Sequence, residues 1–232
     1  MRAEDESLAA ALPFFRGLDE NSVKRLLENA YLQRFPAHVD LIRQGEHPDF
    51  LHVVADGQVE VFSRHGDRET TVSVLGEGSS FILAAVFLDR PYLKSARSIG
   101  PVRLLLIPAA EVRAVFRTDP AFAANCAAEL ARCYRSMVKE VSNLKLRSSL
   151  ERLANWLLQQ TRAGGRDSGF NIPFDKKTLA AKLGIAPEVL SRNFAALAAH
   201  GVTISGRSVK VTDLALLEEF ARPNAAIDDP DY

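Results

Sequence analysis

The spacing of apolar positions changes character along the chain. From Tyr31 to Pro108 they fall in short runs, Val39–Ile42, Leu51–Val54, Gln58–Phe62, Thr70–Leu75 and Val102–Ile107, parted by turn residues at Gly45, Asp56-Gly57, His65-Gly66-Asp67, Gly76 and Gly100-Pro101. Val59-Glu60-Val61-Phe62-Ser63 and Thr71-Val72-Ser73-Val74 alternate as strands with one buried face do. This stretch predicts a β sandwich or barrel. Ahead of it, residues 11–30 predict a short helical lead-in with Val23, Leu26 and Leu27 on one face. Behind it the period becomes helical: Phe122, Cys126, Leu130, Cys133, Met137, Val141 and Leu144 follow one another at three or four residues and form one stripe. A long amphipathic helix over 119–146 is predicted, with Asp119 as cap and Pro120 in the first helical position. Such a seam can pack on its own domain or on a second copy, and its sustained spacing favours dimerisation.

Helical spacing resumes from Ser148 to Gln160, and a Gly-rich joint follows from Thr161 to Gly169. Phe170–Phe174 is extended. Asp175 then caps a helix that ends at Gly184, and Pro187 opens a second one that closes at Gly201. Two helices joined by a short Gly-containing turn are the helix-turn-helix signature. Leu190, Phe194 and Leu197 lie on the buried face of the second helix, while Glu188, Ser191, Arg192 and Ala195 share the other. Val202–Ile204 and Val209–Val211 flank Ser205–Ser208 as a small hairpin, a wing with Arg207 near its tip. Asp213–Ala221 is a last short helix. The domain plan is therefore 1–117, a dimer helix over 118–147, a DNA-binding domain over 148–221 and a loose acidic tail over 222–232.

Composition sharpens this plan. A chain of 232 residues, 47% hydrophobic and 25% charged, has room for two domains. It has no apolar run near membrane-spanning length, and its first ten residues are acidic with no signal-peptide core, so a cytoplasmic protein without a membrane partner is expected. The net charge of zero conceals an excess of +7 over Lys145–Thr212, balanced by −7 elsewhere. A basic C-terminal domain suits a polyanion. Arg192 can donate two bonds to guanine, Glu188 can accept from cytosine and Ser191 can serve either way. Lys176, Lys177, Thr178 and Arg207 are placed for phosphate. The two cysteines, on one helix face, are expected to be reduced core thiols. No spacing suggests a metal site, and no nucleophile, base and orienting group combine into a catalytic motif, so enzyme ranks last.

The segment LIRQGEHPDFLHVVADGQVEVF, Leu41–Phe62, resembles the first half of a cyclic-nucleotide-binding-type jelly roll. With the long helix and the winged helix-turn-helix, the order over Leu12–Ala221 is similar to the CRP/FNR superfamily of bacterial transcription regulators. The resemblance implies an α+β fold with an N-terminal β jelly roll, a dimerisation helix and a C-terminal winged helix-turn-helix. It also implies a homodimer on double-stranded DNA, an effector in the N-terminal domain, and RNA polymerase as partner if the protein activates. Glu188-x-x-Ser191-Arg192 resembles the FNR-type reading head, which implies a palindrome of TTGA-type half-sites. Pro187 stands where the catabolite-activator branch has an Arg that reads a further guanine. Where the family holds a nucleotide, over Gly76–Ile99, its Gly-Glu pair falls on Ile82-Leu83 and its Arg-Ser-Ala on Lys94-Ser95-Ala96. Leu83 offers a ribose no acceptor and Lys94 is no bidentate fork, so cyclic AMP is not the expected effector. Phe81, Leu83, Val86, Phe87, Tyr92, Lys94 and Ser95 describe an apolar effector pocket or plain barrel core. The altered cassette, and the lack of an N-terminal cysteine cluster, resemble the DNR/NnrR-like branch, which implies haem as a candidate cofactor. His38, His47, His52 and His65 are then its candidate ligands, and Cys126 and Cys133 are alternative redox sensors. The competing reading is a dimeric ligand-sensing module whose basic domain docks on protein or on nucleic acid without sequence preference.

Overall fold

The computed structural model describes residues 3–163, 169–229 and 232. The chain forms two compact units, one up to Cys133 and the other from Tyr134.

The first unit opens with α1 (Ala3–Ala10), a 3-10 turn at Pro13–Phe15 and α2 (Glu20–Glu28), whose first turn is closed by Asp19 accepting from the Ser22 amide at 3.0 Å. Eight strands follow: β1 (Tyr31–Phe35), β2 (Asp40–Ile42), β3 (Phe50–Asp56), β4 (Val59–His65), β5 (Arg68–Leu75), β6 (Ser80–Phe81), β7 (Ser95–Ser98) and β8 (Val102–Pro108). They build two antiparallel sheets, β1-β8-β3-β6 and β2-β7-β4-β5, the sandwich expected from the alternation and the jelly roll that the resemblance implies. Ile42, Val54, Val59, Val61, Leu104 and Leu106 meet between the sheets. Leu51, Val53, Leu105 and Ile107, one residue out of phase, face a second core shared with the helices. At the β3–β4 turn Gly57 has φ +87°, and a Cβ there would stand 2.5 Å from the Pro101 carbonyl, so only glycine fits.

Besides α1, two helices of the first unit were not foreseen. Between β6 and β7, where the sequence suggests barrel wall, the chain forms α3 (Leu83–Leu88), and after β8 it forms α4 (Ala109–Thr118). Arg113 of α4 donates to the Val86 carbonyl at 3.0 Å and reaches Asp89 at 3.2 Å, pinning the end of α3.

Helix α5 (Pro120–Leu146) belongs to both units. Asp119 accepts from the amides of Ala121 and Phe122 at 2.8 and 3.0 Å, the predicted cap. Phe122 is fully enclosed and meets Phe14 edge to face, with ring centroids 5.6 Å apart.

The second unit continues with α6 (Ser149–Ala163), β9 (Phe170–Asn171), α7 (Lys176–Lys182), α8 (Pro187–Leu197), β10 (Val202–Ser205), β11 (Ser208–Val211), α9 (Leu214–Ala221) and α10 (Ala225–Asp228). The three strands make one small sheet, β10-β11-β9. Leu153, Leu157, Ile172, Leu179, Leu197 and Val209 are fully buried in this unit. Residues 164–168 of the Gly-rich joint lie outside the described residues, and the joint's first three residues are the end of α6. The tail expected to be loose is a correction. Over Asn224–Asp229 it is capped and helical, and Asp228 pairs with Arg147 at 2.5 Å, their side chains 10% and 8% exposed.

Candidate nucleic-acid interface and effector domain

Asp175 starts α7 by accepting from the Thr178 amide at 2.7 Å. The turn to α8 passes through Gly184 at φ +63°, where a Cβ would stand 2.9 Å from Cδ2 of Leu144. Pro187 then occupies the first turn of α8. Leu190, Phe194 and Leu197 are 1%, 5% and 0% exposed, so that face is fixed in the core. Glu188, Ser191 and Arg192 are exposed on the opposite side, at the N-terminal end. The Ser191 hydroxyl donates back to the Pro187 carbonyl at 3.2 Å, leaving its oxygen as an acceptor. Among the described residues neither Glu188 nor Arg192 makes a hydrogen bond or ion pair, so the intrahelical pair their i, i+4 spacing permits is not formed.

The phosphate candidates divide. Lys176 and Lys177 are exposed at the start of α7, with the Lys176 ammonium 6.0 Å from the Phe194 ring centroid. Thr178 is half-buried and its amide is committed to Asp175. Arg207 is not a free cation at the wing tip: its Nε and Nη2 donate to the Ile172 carbonyl at 3.0 and 2.7 Å and tie the wing to the segment after β9. Two polar residues of α6 escaped the sequence reading. Arg152, buried, donates to the carbonyls of Leu183 and Arg147 at 2.9 and 2.7 Å. Asn155, also buried, donates to Ala221 at 2.8 Å. Their signal was a polar pair set among Leu153, Trp156 and Leu157.

In the jelly roll the seven effector-pocket candidates do not converge. Phe81 and Tyr92 belong to the core between the sheets, whereas Leu83 and Val86 belong to the helical core. Phe87 packs on Phe116 with centroids 4.4 Å apart. Tyr92 is buried, and burial together with Asp49 and Glu46 pushes its hydroxyl up to about 12. The Ser95 hydroxyl accepts from the Gln44 amide at 3.0 Å. Lys94 is half-buried, and burial lowers the pKa of its ammonium despite the nearby Cys133. Ile82 adopts φ +63°. That left-handed conformation is strained for a β-branched residue, and it falls where the resemblance puts glycine, so the turn persists without the residue that suits it.

Of the four candidate histidines, His38, His47 and His65 are exposed and far apart in sequence. His52 is buried at 7% exposure and stacks on Phe81 at 5.0 Å. Burial lowers its pKa to about 4, so its imidazole is neutral at physiological pH. A haem reaching it would have to displace packed barrel residues. Cys126 is buried, and burial followed by Glu129 pushes its thiol up to about 12, which leaves no thiolate to oxidise. Cys133 is exposed. Seven residues of helix separate the two by about 10 Å, too far for a disulfide.

The α5 stripe is divided. Phe122 and Cys126 are buried and Leu130 packs partly on the helical core. Met137, Val141 and Leu144 are 42–48% exposed, alongside Tyr134 and Val138.

The pattern of the cyclic nucleotide-binding domain family matches residues 32–119, and that of the Crp-like helix-turn-helix domain matches 151–220. The chain is 33% identical over 213 residues to the cyclic AMP receptor protein of Thermus thermophilus, covering 90% of this chain and 96% of that one. It is 25% identical to a CRP-like cAMP-activated global transcriptional regulator of Mycobacterium tuberculosis, over 94% of this chain and all of the relative. Among solved structures, a putative cyclic nucleotide binding protein from Ruegeria pomeroyi matches at 30% identity with a TM-score of 0.61, covering 96% of this chain and 100% of that one. A putative transcriptional regulator from Eubacterium rectale shares the fold at a TM-score of 0.74 and 20% identity, over 91% and 98% of the two chains.

Proposed function

The chain belongs to the CRP/FNR family of transcription regulators, and from that premise we propose that it is a homodimer that reads a palindrome of TTGA-type half-sites. The observation that carries this reading is the exposed pair Glu188 and Arg192, without a partner among the described residues, with Ser191 between them, held at the N-terminal end of α8 by a fully packed opposite face. This is the part of a recognition helix that meets base edges. Pro187 has no side-chain donor for a further guanine. Lys176 and Lys177 supply phosphate contacts, and Arg207 reaches phosphate only with the nitrogen not engaged by Ile172. In the dimer the exposed half of the α5 stripe pairs with its copy, and the two recognition helices stand about 34 Å apart. If the protein activates transcription, RNA polymerase is its further partner.

Two relatives carry cyclic AMP in their names. This chain responds to something else. Leu83 stands at 5% exposure in an apolar core where the nucleotide's carboxylate partner would be, and Lys94 replaces the phosphate fork. These changes support the DNR/NnrR-like branch. Haem, if it is the effector, is held by an exposed histidine rather than by His52 in its packed setting.

Selection from random duplexes tests the DNA reading. Enrichment of a TTGA palindrome is expected, and Arg192→Ala should weaken that site by about 1–3 kcal/mol while leaving binding to random DNA unchanged. No enriched sequence, or equal loss on both DNAs, would favour the non-specific docking module instead.

A further inference from the structure

Helix α5 carries a polar row, Arg135, Lys139 and Asn143, one residue per turn of helix, and Arg147 continues the row just past the helix end. The acidic C-terminal segment lies along this row. Arg147 meets Asp228 through two parallel bonds, Nη1 to Oδ1 at 2.7 Å and Nη2 to Oδ2 at 2.5 Å. Lys139 donates to the Asp229 carbonyl and Arg135 to that of Tyr232. The Asn224 amide donates to Asp228 at 2.6 Å, closing α10 around the same carboxylate.

Arg147 is no ordinary surface cation. It lies in the two-residue elbow between α5 and α6, and its carbonyl accepts from Arg152 at 2.7 Å. Arg152 also donates to Leu183, the C-terminal cap of α7, at 2.9 Å. The next residue, Gly184, lies against Leu144 of α5. The elbow, the first helix of the helix-turn-helix and its turn are thus joined by hydrogen bonds and packing, and one carboxylate from the end of the chain clamps the elbow.

That clamp is made of polar contacts. Helix α10 has four residues and none is buried. A cleft of about 830 Å³ adjoins it on the side of α6 and α9, lined by Leu158, Arg162, Glu218 and Pro223, and a smaller one of about 180 Å³ adjoins it on the side of α5. So short a helix does not persist alone, and with little apolar surface holding it the segment is of the kind that opens locally. We infer that the C-terminal segment, residues 224–229, is a releasable latch that fixes the α5–α6 elbow through Asp228 and Arg147, and that its release changes how the helix-turn-helix is presented to DNA. The DNA half of this inference rests on the function proposed above.

The test uses the full chain, Asp228→Asn, and a chain ending at Pro223, with backbone hydrogen exchange followed over residues 144–152. At least tenfold faster exchange is expected there in both variants, with strand β8 unchanged and protection restored to the shortened chain by a peptide of residues 222–232. Exchange within twofold of the full chain would overturn the latch. Affinity for the selected palindrome is expected to shift at least fivefold in the shortened chain at unchanged oligomeric state. Unchanged affinity with a loosened elbow would overturn the link to DNA. A full chain that selects no palindrome would overturn the regulator reading, and with it the DNA half, while the exchange result would still decide the latch.

Discussion

Replacing Leu83 with Glu writes a carboxylate back into the position where the nucleotide-binding relatives of this fold are expected to have one, and the structure makes the outcome calculable. Leu83 is 5% exposed among the residues shared by α2, α3 and α4. Removing its apolar burial costs about 1.5–3 kcal/mol. Arg113, the cation of α4 that reaches α3, is committed to Val86 and Asp89. An unpaired carboxyl in such a place has its pKa raised by about 2–3 from the free value near 4.3. At about 1.4 kcal/mol for each pH unit, ionising it at pH 8 costs a further ~3–4 kcal/mol. The sum, ~4–7 kcal/mol, is comparable to the whole stability of a domain. Its pH signature is specific. Between the unfolded pKa and the raised folded one, the native state holds a proton the unfolded chain has lost, so stability falls by about 1.4 kcal/mol per unit as pH rises and then levels off. Urea denaturation from pH 5 to 8, with Leu83→Gln as the uncharged control, measures this directly. A Leu83→Glu protein as stable as the parent at pH 8, with no slope beyond that of the Gln variant, would show that the side chain reaches water in an effector cavity, and the case against cyclic AMP would fall with it.

Other expectations concern the same architecture. His52, held near pKa 4 by burial against about 6.5 unfolded, takes up its proton first in the unfolded chain, so stability should fall by about 1.4 kcal/mol per pH unit from about pH 6.5 down to 4, about 3 kcal/mol in all. His52→Phe should remove that slope in a denaturation series, and an unchanged slope would assign it elsewhere. Gly184→Ala should destabilise the second unit by about 1–2 kcal/mol, through left-handed strain and the contact with Leu144, and about 1 kcal/mol should remain in a Leu144→Ala background; equal stability of parent and variant would refute the backbone assigned to that turn. Val141→Asp should convert dimer to monomer in sedimentation while leaving the thermal transition of the jelly roll in place, because Val141 is 45% exposed in the protomer. A persistent dimer would place the interface elsewhere.

The strands were legible where alternation is clean, as in Val59–Ser63, and the helix-turn-helix was legible because its caps are local: Asp175, Gly184 and Pro187 each act within a few residues of themselves. Helix α3 was not. Leu83–Leu88 is apolar on every side, so no period separates it from a strand, and its left-handed start at Ile82 uses a residue no rule would put there. Helix α4 did carry a readable face in Val112, Val115 and Phe116. The pairing of Arg147 with Asp228 bridges 81 residues, and a segment rich in Asp and Pro looks like solvated tail until its partner is known. The division of the effector candidates between two cores was hidden for a similar reason, since composition records that residues are apolar but not which sheet face receives them.

Helix α5 shows most directly what periodicity leaves open. Its stripe is continuous in sequence, and a 27-residue helix of about 40 Å keeps every member of it on one side. Yet its first members are covered by the jelly-roll unit's own helices and Phe14, while Met137 and Val141 are about half exposed and Leu144 touches Gly184 but stays 42% exposed. Spacing fixes which residues share a face; what covers that face depends on elements elsewhere in the chain or on another copy. The segment from Phe122 to Leu130 is bound to the stability of the first unit, and the proposed dimer seam falls on the segment from Tyr134 to Leu144, so a change at the second is expected to alter assembly without first unfolding the first.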